Sequence, residues 1–128
     1  MLLSPPWTLT VDTWLDYIWY DVPQRDIRSL HSHFRQLLLH LLKWQWQPEL
    51  RRTSHSWYDT ILEQRQQLAA LLARRPSLRR RLPEAMAWAY PRAQQAAQRE
   101  TGLPLSTFPV SCPWVVEQVL DETFWPEA

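Results

Sequence analysis

The feature that most narrows what this chain can fold into is the run from Gln24 to Trp46, bounded by Pro23 and Pro48. At roughly 100° per residue, Ile27, Leu30, Phe34, Leu37, Leu38, Leu41 and Trp44 fall on one broad arc. Ser29, His33, Gln36, His40, Lys43 and Gln47 fall on a second, polar strip. The spacing predicts a helix over 24–46. Pro48 ends it, because the residue before a proline disfavours the α region. A helix with one apolar arc needs other helices laid against that arc.

The flanking segments supply them. Trp14, Leu15, Ile18 and Val22 have one-sided helical spacing behind a Thr10 cap, which predicts a helix over about 11–21 after an extended arm over 1–9. Trp57, Ile61, Leu68, Leu71 and Leu72 share a stripe over 56–74, with Gln64 inside it and Arg65 at its edge. From Ser77 to Thr101 the stripe is Leu78, Leu82, Ala85, Met86, Ala89, Ala93 and Ala96. Its phase stays constant across Pro83 and Pro91, which predicts kinks and not breaks, and Gly102 is the stop signal. Cys112-Pro113 opens a short last helix carrying Val115, Val116, Val119 and Leu120. The expected architecture is all-α: an antiparallel helical bundle of about four helices plus a short C-terminal helix, with residues 1–128 forming a single domain. One glycine against eleven prolines excludes glycine-rich phosphate loops and tight glycine hairpins.

Charge and cysteine usage narrow the function. A net charge of +1 lacks the basic excess of a general nucleic-acid binder, so that role would need a local patch. One cysteine, Cys112, cannot form an internal disulfide. Met1-Leu-Leu-Ser-Pro-Pro has no basic or long apolar run, and the apolar stretch Leu37–Leu42 is too short to span a bilayer. The expectation is a cytoplasmic protein with no membrane partner.

Several motifs are specific in their order: His40-Leu-Leu-Lys43-Trp44-Gln-x-Gln-Pro48, Ser56-Trp57-x-x-Thr60-Ile61-x-Glu63-Gln64-Arg65, and Pro76-Ser77-Leu78-Arg79. Ala89-Tyr90, Glu100-Thr101-Gly102-Leu103-Pro104, Phe108-Pro109, Cys112-Pro113-Trp114, Glu117-Gln118 and Asp121-Glu122-x-Phe124-Trp125-Pro126 follow. Over about residues 37–127 the chain resembles the bacterial "domain of unknown function 29" family; its N-terminal third departs from the family pattern. The resemblance implies an all-α fold and carries no assigned activity.

Five readings of possible sites follow from residue type and spacing. A metal site lacks support: His33 and His40 stand about 10 Å apart along a helix, and His31 and His33 point to opposite sides, so no metal and no cofactor is expected. Arg35-x-x-x-x-His40 matches the arginine–histidine string of HEPN ribonucleases, metal-independent and helical, with Arg35 and His40 as the working pair. Five residues on a regular helix, however, are about 140° apart. A Cys112 nucleophile is explained as well by packing before a proline. Third, His40, Lys43, Trp44 and Gln47 would face Trp57, Gln64 and Arg65 across two antiparallel helices, with His40 opposite Gln64 or Arg65. That cluster is a polar pocket or a seam fixing helix register, and the seam is favoured. Fourth, Arg74, Arg75, Arg79, Arg80 and Arg81 crowd one turn, the last three in the first turn of a helix whose dipole disfavours cations. They form an anion-binding candidate for phosphate, nucleic acid or an acidic protein.

Fifth, Trp7, Trp14, Trp19, Trp46 and Trp88 exceed what a small core can hide, and exposed Trp and Arg dominate interfaces. The reading ranked first is therefore a non-enzymatic protein-interaction or regulatory module, binding a protein partner or a second copy of itself. Its rivals are a HEPN-like ribonuclease and a nucleic-acid-binding accessory protein acting through the arginine corner.

Overall fold

The computed structural model describes residues 23–53 and 55–127. The expected arm over 1–9, the helix over 11–21, and Trp7, Trp14 and Trp19 lie outside the described residues. Three long helices carry the rest: α1 (Gln24–Trp46), α2 (His55–Arg74) and α3 (Leu82–Thr101). Short 3₁₀ turns at Pro48–Arg52 and Pro76–Arg81 connect them. After α3 come a 3₁₀ turn at Leu105–Thr107 and a short helix, α4 (Val116–Leu120). No strand occurs among the described residues, so the fold is an all-α bundle.

Helix α1 is the central element and packs against both α2 and α3. Contacts fix the directions. Asp26 and His33 of α1 meet Arg75, just past α2, and Gln64, so α1 and α2 are antiparallel. His31 and Lys43 of α1 meet Trp88 and Glu100 of α3, so those two run the same way. With a helix on two sides and the C-terminal segment on a third, the second half of α1 is enclosed. Leu37, Leu38, Leu39, Leu41, Leu42 and Lys43 are all buried. The single-arc reading left out Leu39 and Leu42 and put Lys43 on a polar strip. Neighbours on several sides narrow the solvent face there: Lys43 is covered, while Gln36, His40 and Gln47 stay partly exposed.

The α3 stripe is buried at every expected position, from Leu78 through Ala96. Its alanines let α3 lie close to α1, and dispersion falls off quickly with any gap. Pro83 differs from expectation. It stands in the first turn of α3, where a missing N–H costs nothing, and so marks a boundary between the 3₁₀ turn and the α-helix. Pro91 lies inside α3. The last helix also starts later than the Cys112-Pro113 signal. Val115 is extended, its N–H is accepted by the Gln118 side chain at 3.0 Å, and α4 begins at Val116.

Gly102 ends α3 in the left-handed region at φ 77°, with its N–H bonded to Gln98 O at 2.9 Å. Nothing lies within 4 Å of where a Cβ would sit, so any loss on substitution comes from the backbone alone. Gly102→Ala should cost about 1 kcal/mol in urea unfolding, and Gly102→Asn less, because Asn tolerates this conformation better. Equal stability of all three proteins would contradict this.

Candidate functional site

The polar residues of α1 bond to α2, to α3 and within α1 itself. His33 Nδ1 donates to Gln64 Oε1 on α2 at 2.6 Å. His40 Nδ1 donates to Gln36 O on its own helix at 2.8 Å. Gln64 is thus held by His33 and not by His40, a shift of two helical turns from the pairing expected. The antiparallel neighbour is correct, but spacing alone does not set the relative height of two helices. Since a carbonyl only accepts, Nδ1 of His40 carries the proton and Nε2 keeps its lone pair. Burial pushes the His40 imidazole below its ordinary value of 6.5; the Gln36 carbonyl opposes this and Lys43 adds to it.

Lys43 is buried and bonded to Glu100 at the end of α3. Its ammonium also lies 5.7 Å from the Trp57 ring centre on α2. An ion pair and an aromatic face together offset the cost of enclosing the charge. Glu100, absent from the expected cluster, is its partner; it stood in the Glu100-Thr101-Gly102 motif as the acid that a buried lysine requires. Arg35 and His40 sit on one unbroken helix, so within one chain their side chains leave it about 140° apart.

Arg65 occupies the centre of a second cluster. It is 1% exposed, the largest of the fully buried side chains. Its Nε donates to Val119 O at 2.8 Å and its Nη2 to Gln118 O at 3.4 Å. Both carbonyls belong to α4, so the guanidinium meets the negative end of that helix. Trp125 covers it at 5.4 Å. Trp125 in turn stacks on Tyr58 at 4.8 Å and packs on Trp44 at 4.6 Å, and Arg51 lies 5.2 Å from the Trp44 ring centre. Burial lowers the Arg65 pKa, while Asp121 and Glu122 raise it. The expected cluster therefore divides: Lys43 and Trp57 face α3's end, Trp44 and Arg65 face the C-terminal segment, and Gln47 caps α1 through its N–H to Lys43 O at 2.9 Å.

The arginine corner is dispersed among partners. Arg75 Nε bonds Asp26 Oδ2 at 2.9 Å, and Arg74 Nη2 lies 3.6 Å from Asp26 Oδ1. Asp26, itself buried in the first turn of α1, is the acid that holds the end of α2 to the start of α1. Arg79, Arg80 and Arg81 lie in the 3₁₀ turn before α3 and not in its first turn; the α-helix begins one residue later because Pro83 suits its opening. Arg81 bonds Glu84 at 3.1 Å. Among the described residues, no three His, Cys, Asp or Glu side chains gather where they could hold a metal ion.

The C-terminal segment forms a face of its own across α3. Tyr90 Oη and Gln94 Nε2 both donate to Pro109 O, at 2.7 and 2.5 Å. Burial pushes the Tyr90 phenol up, which keeps its proton on as a donor. Burial also pushes the Cys112 thiol up, the opposite of what activates a nucleophile. Trp46 packs edge-on to Phe108 at 5.8 Å and tilted to Trp114 at 6.5 Å. Trp88 stacks on His31 at 4.7 Å and carries Arg92 on its ring at 4.1 Å. Both tryptophans are thus packed against neighbours of the chain and stay partly exposed.

Among the described residues the large apolar side chains that stand exposed are Val110 at 94%, Val115 at 58%, Leu50 and Tyr58 at 45% each and Leu105 at 42%; three of these five lie on the C-terminal segment. Of those three, Leu105 and Val110 lie outside the long helices whose phase can be counted, and Val115, expected on the last helix, stands just before it. Two clefts adjoin them. One, of about 430 Å³, is lined by Gln94, Leu105, Phe108 and Val110. The other, of about 470 Å³, is lined by Leu82, Pro83, Met86, Trp114, Val115 and Val116, with Arg79 and Glu117.

The residues building this face are motif residues: Tyr90, Phe108, Pro109, Trp114, Glu117 and Trp125. The sequence matches the family described as "Domain of unknown function DUF29" over residues 20–125. The chain belongs to the DUF29 family. The match begins at residue 20, so it takes in all of α1 and not only the motif-rich part from Leu37. Neither a search of curated proteins nor one of solved structures finds a match. No described helix is long and apolar enough to cross a membrane.

Two measurements test this arrangement of the DUF29 motifs. Arg65→Lys should lower stability by about 2 kcal/mol in denaturant unfolding, because one ammonium cannot reach both α4 carbonyls and lie against Trp125; an unchanged midpoint would show that α4 is held by other contacts. The second is pH. In the unfolded chain His40 takes up its proton as pH falls through about 6.5, while in the folded chain it resists until lower pH. The unfolded state then binds more protons, so stability should fall below that pH. His40→Gln should flatten part of the fall, and His31, also lowered by burial, should supply a remainder of the same sign.

Proposed function

We propose that this DUF29 chain is a non-catalytic protein-interaction module whose contact face is the C-terminal segment laid over α3. The observation that carries the reading is the exposure of Val110, Val115 and Leu105 beside two apolar clefts, on a segment anchored by buried bonds from Arg65, Tyr90 and Gln94. Exposed apolar groups that cluster on a rigid support are characteristic of contact surfaces. Pre-anchoring also lowers the ordering cost of binding. The polar motif residues, meanwhile, are engaged in bonds between elements. His33 holds Gln64, Lys43 holds Glu100, and Arg65 holds α4. That use supports a structural role for them over a catalytic one.

The reading is tested by placing a photo-crosslinking residue at position 110 or 115, and at the exposed position 70 on α2 as a control, in cells that make the protein. Protein adducts should form from 110 and 115 and not from 70, and should persist when His40→Ala is added. Equal yields from all three positions, or adducts lost with His40→Ala while the fold is kept, would overturn it.

A further inference from the structure

We propose that the cleft between the start of α3 and the start of α4 is a self-association surface, which joins two copies of this chain about a twofold axis. The inference rests on the interaction reading above and names its partner. Leu82, Met86 and Trp114 form an apolar floor, each less than 8% exposed, and Val115 stands at the edge. Arg79 lines the cleft from the α3 side and Glu117 from the α4 side. Both are exposed, and among the described residues neither has an ion-pair partner within 4.0 Å.

That pair of charges, one of each sign, is matched by the same pair on a second copy of the chain. An acidic partner would satisfy Arg79 and be repelled by Glu117; a basic one would do the reverse. A second copy satisfies both. In a twofold contact, where residue i of one copy meets residue j of the other, j also meets i. Arg79 of each copy then faces Glu117 of its mate, with the two Val115 side chains and the apolar floors between them. The whole chain carries only +1, so long-range repulsion does not oppose the encounter.

The test uses full-length protein in sedimentation velocity, over a concentration series reaching about 100 μM, with circular dichroism to verify that each variant folds. The wild type should be dimeric at the upper end. Arg79→Glu alone and Glu117→Arg alone should each weaken association at least about tenfold, since each sets like charges face to face. An equimolar mixture of the two folded single variants should dimerise again, because in the mixed pair both contacts become Glu opposite Arg, and the double variant should do the same. A wild type that stays monomeric overturns the proposal, while adducts from position 110 to another protein would leave the interaction reading in place. A dimer indifferent to both reversals also overturns it and puts self-association on a different face. Single variants that dissociate without recovery in the mixture overturn the Arg79–Glu117 pairing.

Discussion

Among the described residues Arg65 is the largest side chain that the core encloses, and its charge must be met inside. It is met by backbone carbonyls at the end of α4 and by the face of Trp125. The dependence runs in both directions. A five-residue helix has no stability of its own, since nucleation costs more than one turn returns, and α4 persists because a buried cation draws in its carbonyl end. Arg65, in turn, would be an unsatisfied charge in the core without α4, a state that costs several kcal/mol. Once α4 is placed, Trp125 closes over the guanidinium, Tyr58 and Trp44 close over Trp125, and the preceding segment must cross α3. There Tyr90 and Gln94 take hold of Pro109. The clefts and exposed valines follow from that route.

A set of His, Lys, Gln, Arg and Trp residues held close together in sequence invites a catalytic interpretation. The bonds they make lead elsewhere. His33, Lys43 and Arg65 each link α1 or α2 to a different element and together fix heights and angles that apolar packing leaves loose, while His40 and Gln47 bond within α1. Leu and Ala side chains can slide past one another at small cost, whereas a hydrogen bond between His33 and Gln64, or an ion pair between Lys43 and Glu100, is lost within an ångström or so. Buried polar contacts of this kind give a bundle one register. The same reasoning applies to Asp26, which ties the ends of α1 and α2 through Arg74 and Arg75.

How much could be read in advance differed from element to element. The α1 and α2 boundaries and the full α3 stripe were legible, because helical periodicity, proline and glycine act within a few residues of themselves. The DUF29 motifs were legible too, and they led to the all-α class. The partners within the polar cluster were not. Gln64 bonding His33 in place of His40 depends on how far two helices slide along each other, and Lys43 pairing with Glu100 spans 57 residues of chain. Val110 carries no periodic signal, Val115 falls just outside the helix expected to hold it, and the partial covers of Trp46 and Trp88, namely Phe108, Trp114 and His31, come from distant segments.

By itself, then, the sequence determined local matters: where helices start and stop, which faces are apolar, and that one glycine must end α3. Those outcomes follow from steric limits on φ and ψ and from side-chain spacing. The tertiary structure decided which polar groups share a bond, that the second half of α1 is enclosed, and that Arg65 and not Gln64 is the buried polar centre. It also decided which apolar side chains remain outside, among them Leu105, Val110 and Val115. These depend on distances between elements far apart in the chain, set by the packing of the whole, and no local pattern encodes them.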